Sequence, residues 1–257
     1  MDSIGDAEIV VIGGGGVGCG VTHSLCRAGK TDVLLIEKNE ALASETTSQA
    51  AGLVGQVRTS VDRVKLAMWS VKTFSEMESE PEAKPGWRQV GSLRIAMTDE
   101  RVTEFESMKL VADEAGLKTE FISNDEARIK WPMFDFSTAK SVLWCPSDGY
   151  LQPNDLAMSY AHRARRHGAR IATGVTVEGI RTENDSVTGV ITNHGTINCN
   201  TVINAAGAHA WVSAGAAGGG GGGGAAEGRA RAAPARGGRG GRAPPPAAAG
   251  GAAAAQE

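Results

Sequence analysis

Residues 8–37 read EIVVIGGGGVGCGVTHSLCRAGKTDVLLIE. Ile9 to Ile12 is an apolar run of strand length, and it enters four consecutive glycines, Gly13 to Gly16. A helical stretch follows from Val17 to Ala28, and Gly29 stops it. A second apolar run, Val33 to Ile36, ends in Glu37. Strand, glycine turn, helix, strand and acid within about 30 residues form the dinucleotide fingerprint G-x-G-x-x-G with its distal carboxylate. Gly13 permits the tight turn, Gly15 lets a pyrophosphate approach the backbone, and Gly18 lets the helix lie close on the sheet. The N-terminus of the helix, at Gly16 and Val17, offers free N–H groups and a partial positive charge to a phosphate. Glu37 would accept hydrogen bonds from the ribose hydroxyls and repel a 2′-phosphate, which disfavours NADP. Taken alone, the glycine motif fits an ordinary strand-to-helix turn; the flanking strands and the acid favour a nucleotide. The fingerprint by itself fits NAD as well as FAD.

The chain has 257 residues and a net charge of −3. From Val212 onward it is almost entirely Ala, Gly, Arg and Pro, with no Leu, Ile or aromatic residue. Such a segment cannot bury enough apolar surface to offset its ordering entropy, so 212–257 is expected to be a disordered tail. The tail holds five arginines and two glutamates, which leaves residues 1–211 at about −6. That charge gives no footprint for nucleic acid in the body of the protein. The tail segment Arg236-Gly-Gly-Arg239-Gly-Gly-Arg242 lacks interleaved aromatics for base stacking. No apolar run is long enough to cross a membrane, and the acidic start MDSIGDAE reads as neither signal nor transit peptide, so a cytoplasmic setting is expected. Cys19, Cys26, Cys145 and Cys199 form no C-x-x-C pair and suit a reducing compartment, the first two as small buried residues of the first helix. The five histidines show no ligand spacing, and no metal site is expected.

Residues 44–58, SETTSQAAGLVGQVR, make a hydroxyl-rich, small-residue loop directly after the acid-ended strand. It lies where a dinucleotide would extend beyond its pyrophosphate. Helical spacing follows over 60–78, with Val64, Met68, Val71, Phe74 and Met77 on one face. Val90 to Met97 alternates as a strand, and 99–115 reads as a helix stopped by Gly116. Phe121 and Ile122 form a short strand, Ser123 and Glu126 a capping box, and Val142 to Trp144 another strand. Pro153 opens a helix to about His167, where His162 and His167 sit among arginines as solvated residues. A strand at Arg170 to Ala172 and a meander over 175–198 precede a buried strand, Thr201 to Asn204, which opens into Ala205-Ala206-Gly207. That A-A-G exit is a second point of close approach for a nucleotide.

The motifs GGGGVGC, LLIEK, TTSQAAGLVGQVR, WRQVGSLRIA, DGYLQP, GVTVEGI and VINAAGAHAW, in this order, resemble the D-amino-acid-oxidase-type FAD oxidoreductases. Within them the chain is most similar to the dimethylglycine and sarcosine dehydrogenase group and the methylaminobutanoate oxidases. The resemblance runs over residues 8–211. It implies an α/β fold: a Rossmann-like, glutathione-reductase-like FAD-binding domain with an inserted, incomplete antiparallel α+β substrate domain. The expected division is 1–85 and 151–211 for FAD binding and 86–150 for the substrate domain. The resemblance places Gly16 and Val17 at the pyrophosphate and Glu37 and Lys38 at the ribose. It runs the loop Thr46, Thr47, Gln49, Ala51, Gly52 and Leu53 along the flavin side, sets the Val177 backbone at the adenine, and makes Ala206 and Gly207 a later contact. It implies oxidation of a small N-methyl or secondary amine, with an unassigned electron acceptor. Gln49 stands where these dehydrogenases commonly carry a histidine bonded to flavin, so the FAD is expected to be non-covalent. Arg58 is a candidate for a substrate carboxylate, with a structural salt bridge as its alternative. His209 stands where relatives tend to carry an aromatic and is a candidate near the cofactor. No catalytic acid or base is assigned. A non-catalytic relative, similar to the pyruvate dehydrogenase phosphatase regulatory subunit, is the alternative function. The family continues past this point, so the chain reads as an N-terminal fragment with an out-of-frame tail.

Overall fold

The computed structural model describes residues 4–82 and 84–210, so the expected tail lies outside the described residues. The chain opens with β1 (Ile9–Ile12), α1 (Gly16–Arg27) and β2 (Val33–Ile36). After the loop come β3 (Leu53–Val54), α2 (Val61–Glu78), β4 (Arg88–Gln89) and β5 (Ser92–Ala96). Next are α3 (Asp99–Ala115), β6 (Glu120–Ile122), α4 (Asn124–Lys130), β7 (Ser141–Cys145) and β8 (Gly149–Tyr150). The remainder is α5 (Pro153–Arg166), β9 (Arg170–Ala172), β10 (Val177–Glu183), β11 (Ser186–Thr192), β12 (Gly195–Asn198) and β13 (Thr201–Asn204).

Every residue of β1 and β2 is buried because both faces of their sheet are covered. The sheet is parallel, in the order β13-β1-β2-β9. Ile9, Val11, Val33 and Leu35 point to one face, where Cys19 and Cys26 of α1 and Ala157, Ala161 and Ala164 of α5 pack on them. Val10, Ile12, Leu34 and Ile36 point to the other, against Val190 of β11 and Ile197 of β12 in the antiparallel sheet β10-β11-β12. The small side chains on α1 and α5 let the helices approach closely, and His23 of α1 is buried against Tyr160 of α5, with ring centroids 5.3 Å apart.

The middle of the chain builds two further antiparallel sheets, β3-β8-β4 and β5-β7-β6. Ala96, Leu143 and Cys145 face α3 through Phe105 and Ala112, while Val142 packs on Ala127 and Phe136. The Thr98 hydroxyl caps α3, Gly116 ends it in the left-handed conformation, and the Ser123–Glu126 capping box opens α4. The strand expected over 90–97 is shorter, because Gly91 turns at φ +77 beneath the Trp144 ring. Residues 53–78 contact both layers: Val54, Val71 and Phe74 pack with Leu156 and Tyr160 of α5 as well as with Trp87 and Leu151. Leu53 pairs with Tyr150, and Val57 and Val64 join the α3 core. Asp148, fully buried, links these parts: it accepts hydrogen bonds from Gln56 N and Nε2 and from Ser92 Oγ. The histidine and arginine side chains of α5 are not all simply solvated: Arg163 is ion-paired to Glu80, and His162 Nε2 lies 3.2 Å from Glu82.

Burial, reinforced by Arg163 and Arg27, pulls the His23 pKa down to about 4. The unfolded chain therefore binds this proton more readily than the folded one. The stability held by neutral His23 is complete above about pH 6.5 and is lost as pH falls toward 4. Urea denaturation should show a loss of roughly 2–3 kcal/mol across that window, and His23→Gln should flatten it. An unchanged slope in His23→Gln would assign the loss to other groups.

Candidate functional site

The register of the parallel sheet sets the site. Ile12 lies opposite Asn204 on one side and Ile36 on the other, so β13, β1 and β2 end at the same level. Their three exits, the glycine turn, Glu37-Lys38 and Ala205-Ala206-Gly207, open together into one cavity of about 490 Å³. This is the carboxyl edge of an open α/β sheet, where ligands of such folds bind.

The glycines have separate reasons. Gly13 turns at φ +104, and a Cβ there would lie 2.6 Å from the Ala205 carbonyl oxygen. A Cβ on Gly18 would lie 1.8 Å from the Gly13 carbonyl oxygen, so this glycine serves helix-to-turn packing and does not line the cavity. Gly15 and Gly16 do line it, and a Cβ on either would meet only Thr47. Gly16 N donates to Thr47 Oγ1 at 3.0 Å, which joins the hydroxyl loop to the start of α1. Gly15 precedes the helix with no side-chain cap, and the first turn of α1 carries no acid.

The Glu37 carboxylate is buried and already bonded. Its Oε2 accepts from Gly14 N at 2.6 Å and its Oε1 from Asn39 N at 2.9 Å. Sequence reasoning gave this side chain to a ribose; it also holds the glycine turn, a role that required knowing which N–H groups it reaches. Val175 N donates to the Glu37 carbonyl at 2.8 Å, which brings the start of β10 and Val177 to the cavity wall.

Of the residues expected at a cofactor, Gly13, Gly15, Gly16, Val17, Glu37, Lys38, Thr46, Thr47, Val177, Ala206 and Gly207 line this cavity, and so does His209. Gln49, Ala51, Gly52 and Leu53 do not. Gly52 is needed elsewhere: its φ is +72, and a Cβ would lie 2.0 Å from the Leu151 carbonyl oxygen. Leu53 is 82% exposed on β3. Arg58 lies apart, half-buried, with Nη1 donating to its neighbour Val57 O at 2.8 Å. Arg94 donates to the same oxygen at 3.2 Å, and among the described residues no carboxylate approaches either arginine within 4.0 Å, so the salt bridge held as the alternative for Arg58 is not formed. Ile12, Ile36 and Ala205 also line the cavity, and so do Asn39, Ala43, Ser44, Glu45, Val175, Thr176 and Ala208, which sequence did not name as contacts. Only their closeness to predicted residues along the chain could have signalled them.

The cavity offers backbone donors, the hydroxyls of Ser44, Thr46 and Thr47, a buried acid and apolar walls. Cys19, behind the turn, has its thiol pushed up to about 12 by burial and the nearby Glu37 charge, so it stays protonated. Among the described residues no group of three His, Cys, Asp or Glu side chains is placed to hold a metal. No helix among them is long and apolar enough to cross a membrane.

Comparison with known proteins agrees with this geometry. The chain is 35% identical over 198 residues to the 4-methylaminobutanoate oxidase (formaldehyde-forming) of Paenarthrobacter nicotinovorans, covering 77% of this chain and 24% of that protein. It is 33% identical over 214 residues to the mitochondrial sarcosine dehydrogenase of Homo sapiens, covering 81% and 23%. The chain thus spans about a quarter of the length of these relatives. Among solved structures, the L-proline dehydrogenase from P. horikoshii superposes with a TM-score of 0.78 at 30% identity, over 82% of this chain and 56% of that one. The family described as FAD dependent oxidoreductase, DAO, matches residues 8–236, and the chain belongs to that family.

Proposed function

We propose that the chain forms the FAD-binding part of an oxidoreductase that oxidises the C–N bond of a small N-methyl or secondary amine. The observation that carries this is the shared carboxyl-edge cavity, in which the glycine turn, Glu37 and the A-A-G exit meet. The residues present fit the cofactor: Gly15 and Gly16 leave the start of α1 open to close approach, and a Cβ on Gly15 would crowd Thr47 Oγ1 at 3.2 Å. In this reading Gly16 and Val17 lie against the pyrophosphate, with the Val17 N–H toward it and the Gly16 N–H held by Thr47 Oγ1, Glu37 takes the ribose, and the Val177 backbone takes the adenine. Thr46, Thr47, Ala206 and Gly207 extend the contact toward the flavin. Gln49 cannot form a carbon–nitrogen bond to flavin, so FAD is held non-covalently.

Bound FAD supplies the electron acceptor, and the protein supplies binding and orientation. The substrate class follows the names of the relatives, which act on sarcosine and 4-methylaminobutanoate. Arg58, whose Nη1 donates to Val57 O and which has no carboxylate partner among the described residues, is offered to a substrate carboxylate. Four free, buried cysteines suit a reducing compartment, the cytoplasm or the mitochondrial matrix.

The purified chain should take up FAD and show flavin absorbance near ~370 and ~450 nm. FAD should raise the thermal midpoint and NAD should not, since only a ligand of the native state does so. A folded, colourless protein unmoved by FAD would contradict the reading. In a longer form with amine oxidation activity, Arg58→Ala should raise KM for carboxylated amines about 10-fold or more, with kcat changed far less. An unchanged KM would remove Arg58 from substrate binding.

A further inference from the structure

The rim of the cavity carries a charged cluster in which Glu45 joins Lys38 and His209, the two basic residues expected near the cofactor. Lys38 leaves β2, Glu45 lies on the hydroxyl loop, and His209 follows β13. Lys38 Nζ is 2.7 Å from Glu45 Oε1, and His209 Nε2 is 3.3 Å from Glu45 Oε2. Lys38 Nζ and His209 Nε2 are 3.1 Å apart, and Asn39 Nδ2 donates to Glu45 Oε1 at 3.4 Å. The hydrogen bonds from Lys38 and Asn39 hold the Glu45 carboxyl below its ordinary range. Among the described residues, Lys38 and His209 are the only basic side chains lining the cavity. Glu37, the other acid there, is buried and bonded to backbone N–H groups. Glu45 therefore pairs with Lys38 and lies against the His209 ring, which is a cation only when protonated.

A pyrophosphate carries two negative charges and gains from nearby cations, so Glu45 and a nucleotide compete for the same two groups. The pairs are half-exposed, at 40%, 47% and 51% of side-chain surface for Lys38, Glu45 and His209, and such pairs exchange at little cost. We propose that Glu45 is an internal counter-ion, displaced from Lys38 and His209 by the nucleotide's phosphates, which lowers affinity and sets its salt dependence. This rests on reading the cavity as a nucleotide site.

Calorimetric titration of the chain with ADP, which carries the pyrophosphate without flavin, tests it. Glu45→Gln should bind ADP about two- to fivefold more tightly at low salt, with the gain vanishing near ~0.5 M salt. Lys38→Met should weaken binding and erase most of the effect of Glu45→Gln, as coupled residues do in a double-mutant cycle. Equal or weaker binding by Glu45→Gln at low salt would overturn the inference and make Glu45 an organiser of the loop. If folded wild-type protein takes up neither ADP nor FAD, the assignment of the cavity falls and this inference with it. Circular dichroism of each variant separates lost binding from lost fold.

Discussion

The buried carboxylate of Glu37 is the constraint on which the site depends. Two backbone donors, Gly14 N–H and Asn39 N–H, end on its oxygens. The first belongs to the turn that leaves β1, the second to the exit of β2. One side chain thereby fixes two of the three strand exits that form the cavity. The third is fixed by steric contact, since Gly13 approaches Ala205 too closely for any Cβ. The geometry of the glycine turn is thus built into the fold before any ligand is considered. A glycine turn held on both sides keeps its remaining N–H groups at the start of α1 oriented, which is the preorganisation that anion binding needs.

The parts legible in the sequence are those whose signals are local. The limits of β1, β2 and α3, the Gly116 stop and the Ser123–Glu126 box rest on neighbours a few residues apart. The continuous apolar runs of β1 and β2 announced a sheet covered on both faces, and α1, α5 and the β10–β12 meander cover it. What escaped depends on contacts distant in sequence. Gly52 signalled close backbone approach, but only the fold shows the Leu151 carbonyl that lies against it. His23 looked like any helix residue until α5 packed over it. Residues 53–78 carry no boundary signal, and their contacts run to both layers, through the Leu53–Tyr150 pairing and the Asp148 network and through Val71 and Phe74 beside Leu156 and Tyr160.

The chemistry divides along the same line. The cavity supplies shape, donors and one buried acid, and its one cluster of charged side chains, Lys38, Glu45 and His209, is paired internally. A site of this kind binds and orients, and leaves electron transfer to a cofactor. That fits a chain belonging to the FAD dependent oxidoreductase family and spanning about a quarter of its longer relatives.

Urea denaturation of Glu37→Ala tests the central claim most directly. The substitution removes the acceptor of two backbone N–H groups, and each donor left without a partner costs about 1–3 kcal/mol. The account predicts a loss of about 2–4 kcal/mol with no ligand present, because the carboxylate holds the turn itself. A stability within about 0.5 kcal/mol of wild type, the range of an ordinary surface substitution, would contradict it.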